Sequence, residues 1–116
     1  MSVNRRKHNR YTLRNKVTVT MDDVILKGTE CVNISSGGMC LTINDRIDLW
    51  NTGMLIMVRK YKREAIYFKT DFSVTWNSLA LPGESEVYMG IAFKELDAAN
   101  KKALDRILSL HCNVDN

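Results

Sequence analysis

Two hydrophobic periods divide the chain. From Leu13 to Phe93 the apolar positions recur every second residue in short runs, and from Leu96 onward they recur every three or four. The first run, residues 13–20, ends in the β-branched alternation Val17-Thr18-Val19-Thr20, and Asp22-Asp23 marks a turn. Residues 24–34 read as one second strand, with Gly28 a bulge or bend inside it. The stretch 35–38 breaks the pattern. Met39, Leu41 and Ile43 then alternate with Cys40 and Thr42 as a third strand. Residues 44–53 form a polar connection that holds Ile47, Leu49 and Trp50. A fourth strand is expected over 54–61, a charged turn at Lys62-Arg63-Glu64, a long fifth strand over 65–76, a loop at Leu81-Pro82-Gly83-Glu84 and a last strand over 87–93. Leu96, Ala99 or Asn100, Ala103-Leu104, Ile107-Leu108 and His111 fall at helical spacing behind Asp97, an N-cap residue, so a helix is predicted over 97–111.

Six short strands in a chain of 116 residues must hide their edges. The expected fold class is therefore mainly β: a six-stranded antiparallel β-barrel with one C-terminal α-helix covering an open end or side. The length suits one domain, and 45% apolar residues suffice for one core. Residues 1–12 lack periodicity and read as a flexible basic arm, and residues 13–112 read as the barrel with its helix.

Charge changes the picture at the N-terminus. The formal balance is only +4, from 17 basic and 13 acidic residues, yet Arg5, Arg6, Lys7, Arg10, Arg14 and Lys16 precede the first acid, Asp22. Such an arm attracts phosphate-bearing partners. Three cysteines, Cys31, Cys40 and Cys112, form no CxxC spacing and no even set, which argues against a disulfide framework or a zinc site. Cys31 and Cys40 lie in apolar strand patterns and read as buried thiols of a reducing compartment. There is no signal-peptide run at the N-terminus and no stretch that spans a bilayer, so the expected location is cytoplasmic, without membrane insertion.

Two motifs carry candidate chemistry. Arg6 and Arg10 form RxxxR, and Asn33-Ile34-Ser35-Ser36-Gly37-Gly38 reads as NxSxxG. A guanidinium donates two parallel hydrogen bonds to phosphate or to guanine O6 and N7, and its flat face stacks on a base. Arg5 adds a third candidate contact, whereas Lys7 supplies charge without the fork. Asn33 donates and accepts at a base edge, Ser35 offers a compact hydroxyl, and Gly37 and Gly38 allow close backbone approach. The pair describes a site for an anionic ligand that also presents base edges. Either motif alone is weak, because basic tails and Asn/Ser/Gly turns are common. Trp76 has two readings, rim or core packing and a stacking surface for a base. His8 has no second histidine or acidic cluster to make a metal site. His111-Cys112 near a helix end has no orienting carboxylate or amide, so no catalytic residue, metal site or cofactor is assigned.

At these residues the chain resembles the PilZ domain family, the bacterial receptors for cyclic di-GMP, over residues 5–111. Val74-Thr75-Trp76 resembles the family's valine-x-tryptophan strand and Gly90-Ile91-Ala92-Phe93 its glycine-x-x-phenylalanine strand. The resemblance implies a split six-stranded barrel with a C-terminal helix in a stand-alone, single-domain protein. It implies that Arg6 and Arg10 bind the phosphates and guanine edges of cyclic di-GMP and that Asn33, Ser35 and Gly38 line the guanine pocket. Asparagine at 33, where the family also uses aspartate, keeps an acceptor but gives up a charge. Tyr11 stands where the family usually has an aliphatic residue.

The function so implied is a cyclic di-GMP receptor, not an enzyme, whose arm and surface change on binding and are read by a protein partner in motility, attachment or virulence. Two other classes are weighed against it. A small basic barrel binding single-stranded nucleic acid would use the Arg/Lys clusters, Arg59-Lys60-Tyr61-Lys62-Arg63 included, and exposed aromatics. General strand binders need no NxSxxG turn, which argues against nucleic acid. A nucleotide-independent adaptor would be favoured by loss of the motifs, and they are intact.

Overall fold

The computed structural model describes residues 10–26, 28–43, 52–77 and 87–114, with backbone alone at 77 and 111–114. Among the described residues seven strands precede one helix: β1 (Tyr11–Met21), β2 (Val24–Leu26), β3 (Glu30–Ile34), β4 (Gly38–Ile43), β5 (Thr52–Tyr61), β6 (Glu64–Asn77), β7 (Val87–Phe93) and α1 (Ala98–Val114). Every pairing is antiparallel. Around the barrel the order is β1-β3-β4-β7-β6-β5, and β5 closes it by pairing back to β1. The expected six-stranded barrel is therefore present, with β2 as one strand more.

The extra strand corrects the reading of residues 24–34 as one strand. A two-residue turn at Asp22 and Asp23, both left-handed with φ of 50° and 63°, folds β2 back onto the end of β1. Aspartate tolerates that conformation, and the turn twist suits a hairpin. Pairing stops near Gly28 (φ 66°) and resumes as β3 on the N-terminal half of β1. The break falls in the stretch Lys27-Gly28-Thr29-Glu30, where no apolar residue occurs. Strand β1 also begins at Tyr11, two residues inside the segment read as arm.

Inward-facing residues build one core, including Val19, Ile34, Leu41, Leu55, Phe68, Phe72 and Met89. The helix adds Leu104, Ile107 and Leu110 to it. Strand β7 pairs with β6 only from Phe72 on, so the earlier part of β6 would be an open edge. The helix packs on β6, and the Asn100 side chain accepts the Lys69 backbone N–H at 2.8 Å. Asp97 caps as expected: its carboxylate accepts the Asn100 N–H at 2.8 Å. Among the described residues no helix is long and apolar enough to cross a membrane.

Candidate functional site

An outward-facing cleft of about 370 Å³ lies over β4 and β7, within the size range of small-molecule sites. Its walls are Arg10, the turn from Ser35 to Gly38, and the Thr75-Trp76 end of β6. Its floor includes Cys40, Gly90 and Ala92. The strand register explains this placement. Thr12 pairs with Asn33, Asn33 with Cys40, Cys40 with Gly90, and Gly90 with Trp76. These five residues form one transverse row across β1, β3, β4, β7 and β6. The row faces outward, because the next residues along the same strands, Ile34, Met39, Ile91 and Val74, are core.

Two β-bulges put the row there. Simple alternation would place Asn33 on the same face as buried Cys31, but Val32 is an extra residue in the β3–β4 register and turns Asn33 outward beside Cys40. Likewise Trp76 would share the inner face with Phe72 and Val74. Thr75 is the extra residue in the β6–β7 register, and Trp76 turns outward, 40% exposed. The bulge is tied down by the Thr75 hydroxyl, which donates to the Gly90 carbonyl at 3.1 Å.

The indole then lies directly over Gly90. A β-carbon there would overlap the indole Nε1 and stand 2.6 Å from Cδ1. Glycine at 90 is thus what lets the ring lie flat across the neighbouring strand. The second close approach is at Gly38, where a β-carbon would overlap the Ile91 carbonyl oxygen and stand 3.2 Å from its carbon. Glycine at 38 lets β4 start against β7 without a step.

The turn is held by its own polar groups. The Ser35 N–H donates to the Gly38 carbonyl at 2.9 Å. The Ser35 hydroxyl accepts the Gly37 N–H and donates to the Gly38 carbonyl, each at 3.3 Å. The Phe93 N–H donates to the Gly37 carbonyl at 2.9 Å and pins the turn to the end of β7. Ser35 therefore shapes the wall through its hydroxyl as well as lining it.

Charge in the cleft comes from exposed Arg10, which adjoins the Cys40 thiol. Burial pushes that thiol above its ordinary pKa, and Arg10 opposes the shift. Cys31, on the inner face, is pushed up to about 12, chiefly by burial. Both stay neutral thiols near pH 7, so the floor under the guanidinium carries no charge of its own.

Of the residues singled out from sequence, the cleft gathers Arg10, Ser35, Gly37, Gly38 and Trp76. Asn33 stands one strand away from the cleft floor, next to Cys40. Arg5 and Arg6, with Lys7 and His8, lie outside the described residues, as do the side chains of His111 and Cys112. Trp76 is at the rim rather than in the core. Sequence reasoning missed Cys40, Thr75, Gly90 and Ala92 as lining residues; the glycine facing a tryptophan on the neighbouring strand was the one available signal. The cluster 59–63 forms the tip of the β5–β6 hairpin, away from the cleft, where Arg59 donates to the Asn15 side chain at 3.3 Å.

Comparison with known proteins converges on one family. The profile described as PilZ domain matches residues 4–110. None of the curated proteins compared with the chain matches it. Among solved structures, the inhibitor of motility MotI/DgrA of Bacillus subtilis superposes with a TM-score of 0.74 at 19% identity, covering 96% of this chain and 53% of that one. The MrkH–c-di-GMP complex of K. pneumoniae superposes with a TM-score of 0.68 at 17% identity, covering 98% and 57%. The PilZ domain of YcgR from Escherichia coli, solved with c-di-GMP, superposes with a TM-score of 0.73 at 12% identity, covering 97% and 95%. At these identities the likeness concerns the fold. The chain spans little more than half the length of the first two structures.

Proposed function

The chain belongs to the PilZ domain family, and from that premise we propose that it is a receptor for cyclic di-GMP. The observation that carries the reading is the convergence of Arg10, the Ser35–Gly38 turn and outward-turned Trp76 on one cleft of this chain. A cyclic dinucleotide offers two phosphates to arginine and two flat bases to an aromatic wall. Arg10 supplies a fork for phosphate or for guanine O6 and N7. The Trp76 face supplies stacking, worth about 1–3 kcal/mol per base. Asn33 stands within one strand spacing of the floor, where its carboxamide can reach a base edge.

These terms also say what else is needed. Micromolar binding requires about −8 kcal/mol, more than one arginine and one stacked base provide. The balance falls to Arg6 and Arg5, four and five positions before Arg10. Ligand binding draws that N-terminal segment against the barrel beside the turn. The altered surface of segment and ligand is what a protein partner reads. The protein acts in the cytoplasm by binding, with no chemical step.

Titration calorimetry with cyclic di-GMP tests this reading, with GMP as the control. Saturable heat is expected from the wild type, with loss of binding in Arg10→Ala and in the Arg6→Ala/Arg10→Ala pair. No heat from the wild type, or unchanged affinity in the double variant, ends it.

A further inference from the structure

Glycine at 90 makes room for the Trp76 ring, but it does not by itself hold the ring in place. Glycine has the most backbone freedom of any residue, and inside a strand it weakens the local ladder. The bulge adds to this, because Thr75 has no residue opposite it on β7. The aromatic wall of the cleft thus stands on two irregular points of the sheet. A rim indole placed there turns away from Gly90 unless something fixes both strands at that level.

The Thr75 hydroxyl supplies that fixing, through its 3.1 Å hydrogen bond to the carbonyl of the residue the ring covers. Gly90 is buried although it belongs to the outward row, because the pyrrole part of the indole (Nε1, Cε2 and Cδ1) lies on it. Thr75 and Trp76 therefore grip one residue, the first by its carbonyl and the second by covering the place of its absent β-carbon. A hydrogen bond from the bulge residue itself sets the depth of the bulge, and that depth sets where the next side chain projects. Thr75 is exposed and lies outside the core cluster, so removing its hydroxyl leaves core packing intact. The opposite wall is fastened to the same strand three residues along, where the Phe93 N–H donates to the Gly37 carbonyl at 2.9 Å.

We propose that Thr75 is a positioning residue of the cleft: its hydroxyl, bonded to the Gly90 carbonyl, holds Trp76 flat over Gly90 and so presents the ring to a bound base. The last step rests on the cyclic di-GMP reading above, whereas the hold on the ring does not. The hydroxyl has one proton, and the Gly90 carbonyl takes it, so Thr75 donates nothing to the ligand. Its effect on binding passes through Trp76.

The full chain carrying Trp50→Phe, in which Trp76 is the one tryptophan left, serves as the parent for the test. Without ligand, Thr75→Val keeps the branched shape and loses the hydroxyl. It should raise acrylamide quenching of Trp76 and lower its emission anisotropy, while its melting transition stays cooperative. Thr75→Ser keeps the hydroxyl and should restore both signals. With ligand, calorimetry should show the dissociation constant for cyclic di-GMP rising roughly two-fold to ten-fold in Thr75→Val. In a Trp76→Ala background the same substitution should change affinity by less than about two-fold, because the ring it acts through is gone. Parent-like quenching and anisotropy in Thr75→Val overturn the proposal. So does a Thr75→Ser variant that behaves like Thr75→Val, or an unchanged affinity despite a loosened ring. Equal weakening with and without Trp76 also overturns it, since the hydroxyl would then touch the ligand directly. A parent that gives no heat with cyclic di-GMP ends the receptor reading instead, and the ligand-free quenching series still decides whether Thr75 holds the ring.

Discussion

Replacing Gly90 by alanine isolates the contribution of the aromatic wall. The added methyl would overlap the indole Nε1 and approach Cδ1 to 2.6 Å. What obstructs it is a rim side chain already 40% exposed, so the indole yields and the sheet does not. Val74–Ile91 and Trp76–Gly90 pairing can persist while the ring swings into solvent. Fold stability should fall by about 1 kcal/mol, the scale of one lost aromatic contact. Ligand binding should fall further, because a displaced ring no longer offers its face. At about 1–3 kcal/mol per stacked base, the dissociation constant for cyclic di-GMP should rise roughly five-fold to 150-fold. The assay is calorimetry beside tryptophan emission in a Trp50→Phe background, where Trp76 reports alone. Gly90→Ala should red-shift the emission and weaken binding nearly as much as Trp76→Ala. A wild-type emission maximum together with an affinity within about two-fold of wild type would refute the stacking argument.

Further expectations concern positions with different causes. Gly38→Ala should be much more harmful than Gly90→Ala, by about 3 kcal/mol or more, because the obstruction is the Ile91 backbone; a urea midpoint close to wild type would contradict this. Cys31 should resist iodoacetamide in the native state and react on unfolding, since burial pushes its thiol up to about 12. Its folded value lies above the unfolded one, so its contribution is present below about pH 9 and lost as pH rises from there towards 12; Cys31→Ala should flatten that alkaline decline in melting temperature. The Glu64 carboxyl is held below its ordinary range by the hydrogen bond from Arg106. Its contribution is present above the unfolded carboxylate pKa and disappears as pH falls through the lower folded value, so Glu64→Gln should flatten part of the acid limb of the stability profile.

Residue pattern alone carried the strand-then-helix order, the barrel as the way to hide edges, and the Asp97 cap. These follow from local physics: period two against period three to four, and a carboxylate ahead of a helical run. Of the RxxxR and NxSxxG motifs, Arg10 and the Ser35–Gly38 turn, far apart in the chain, line one cleft. Where each side chain faces was legible only as long as alternation held. It fails at Val32 and at Thr75, and there Asn33 and Trp76 turn from the core face to the outer one. Cys40 reads as a buried thiol because it sits among apolar neighbours, and it is buried; that it is also floor of the cleft is decided by its partners on β3 and β7.

What the amino-acid order determined by itself is therefore the inventory: where the strand-forming runs lie, apart from the split of residues 24–34 into β2 and β3, where the helix lies, and which side chains have forked, amide or aromatic chemistry. Only the tertiary structure decided how they meet. A bulge is a mismatch between two strands, and a glycine's value at 38 or 90 lies in what crosses above it from a neighbouring strand. Both are properties of pairs far apart in the chain, and a one-dimensional pattern holds no information about the register that brings those pairs together.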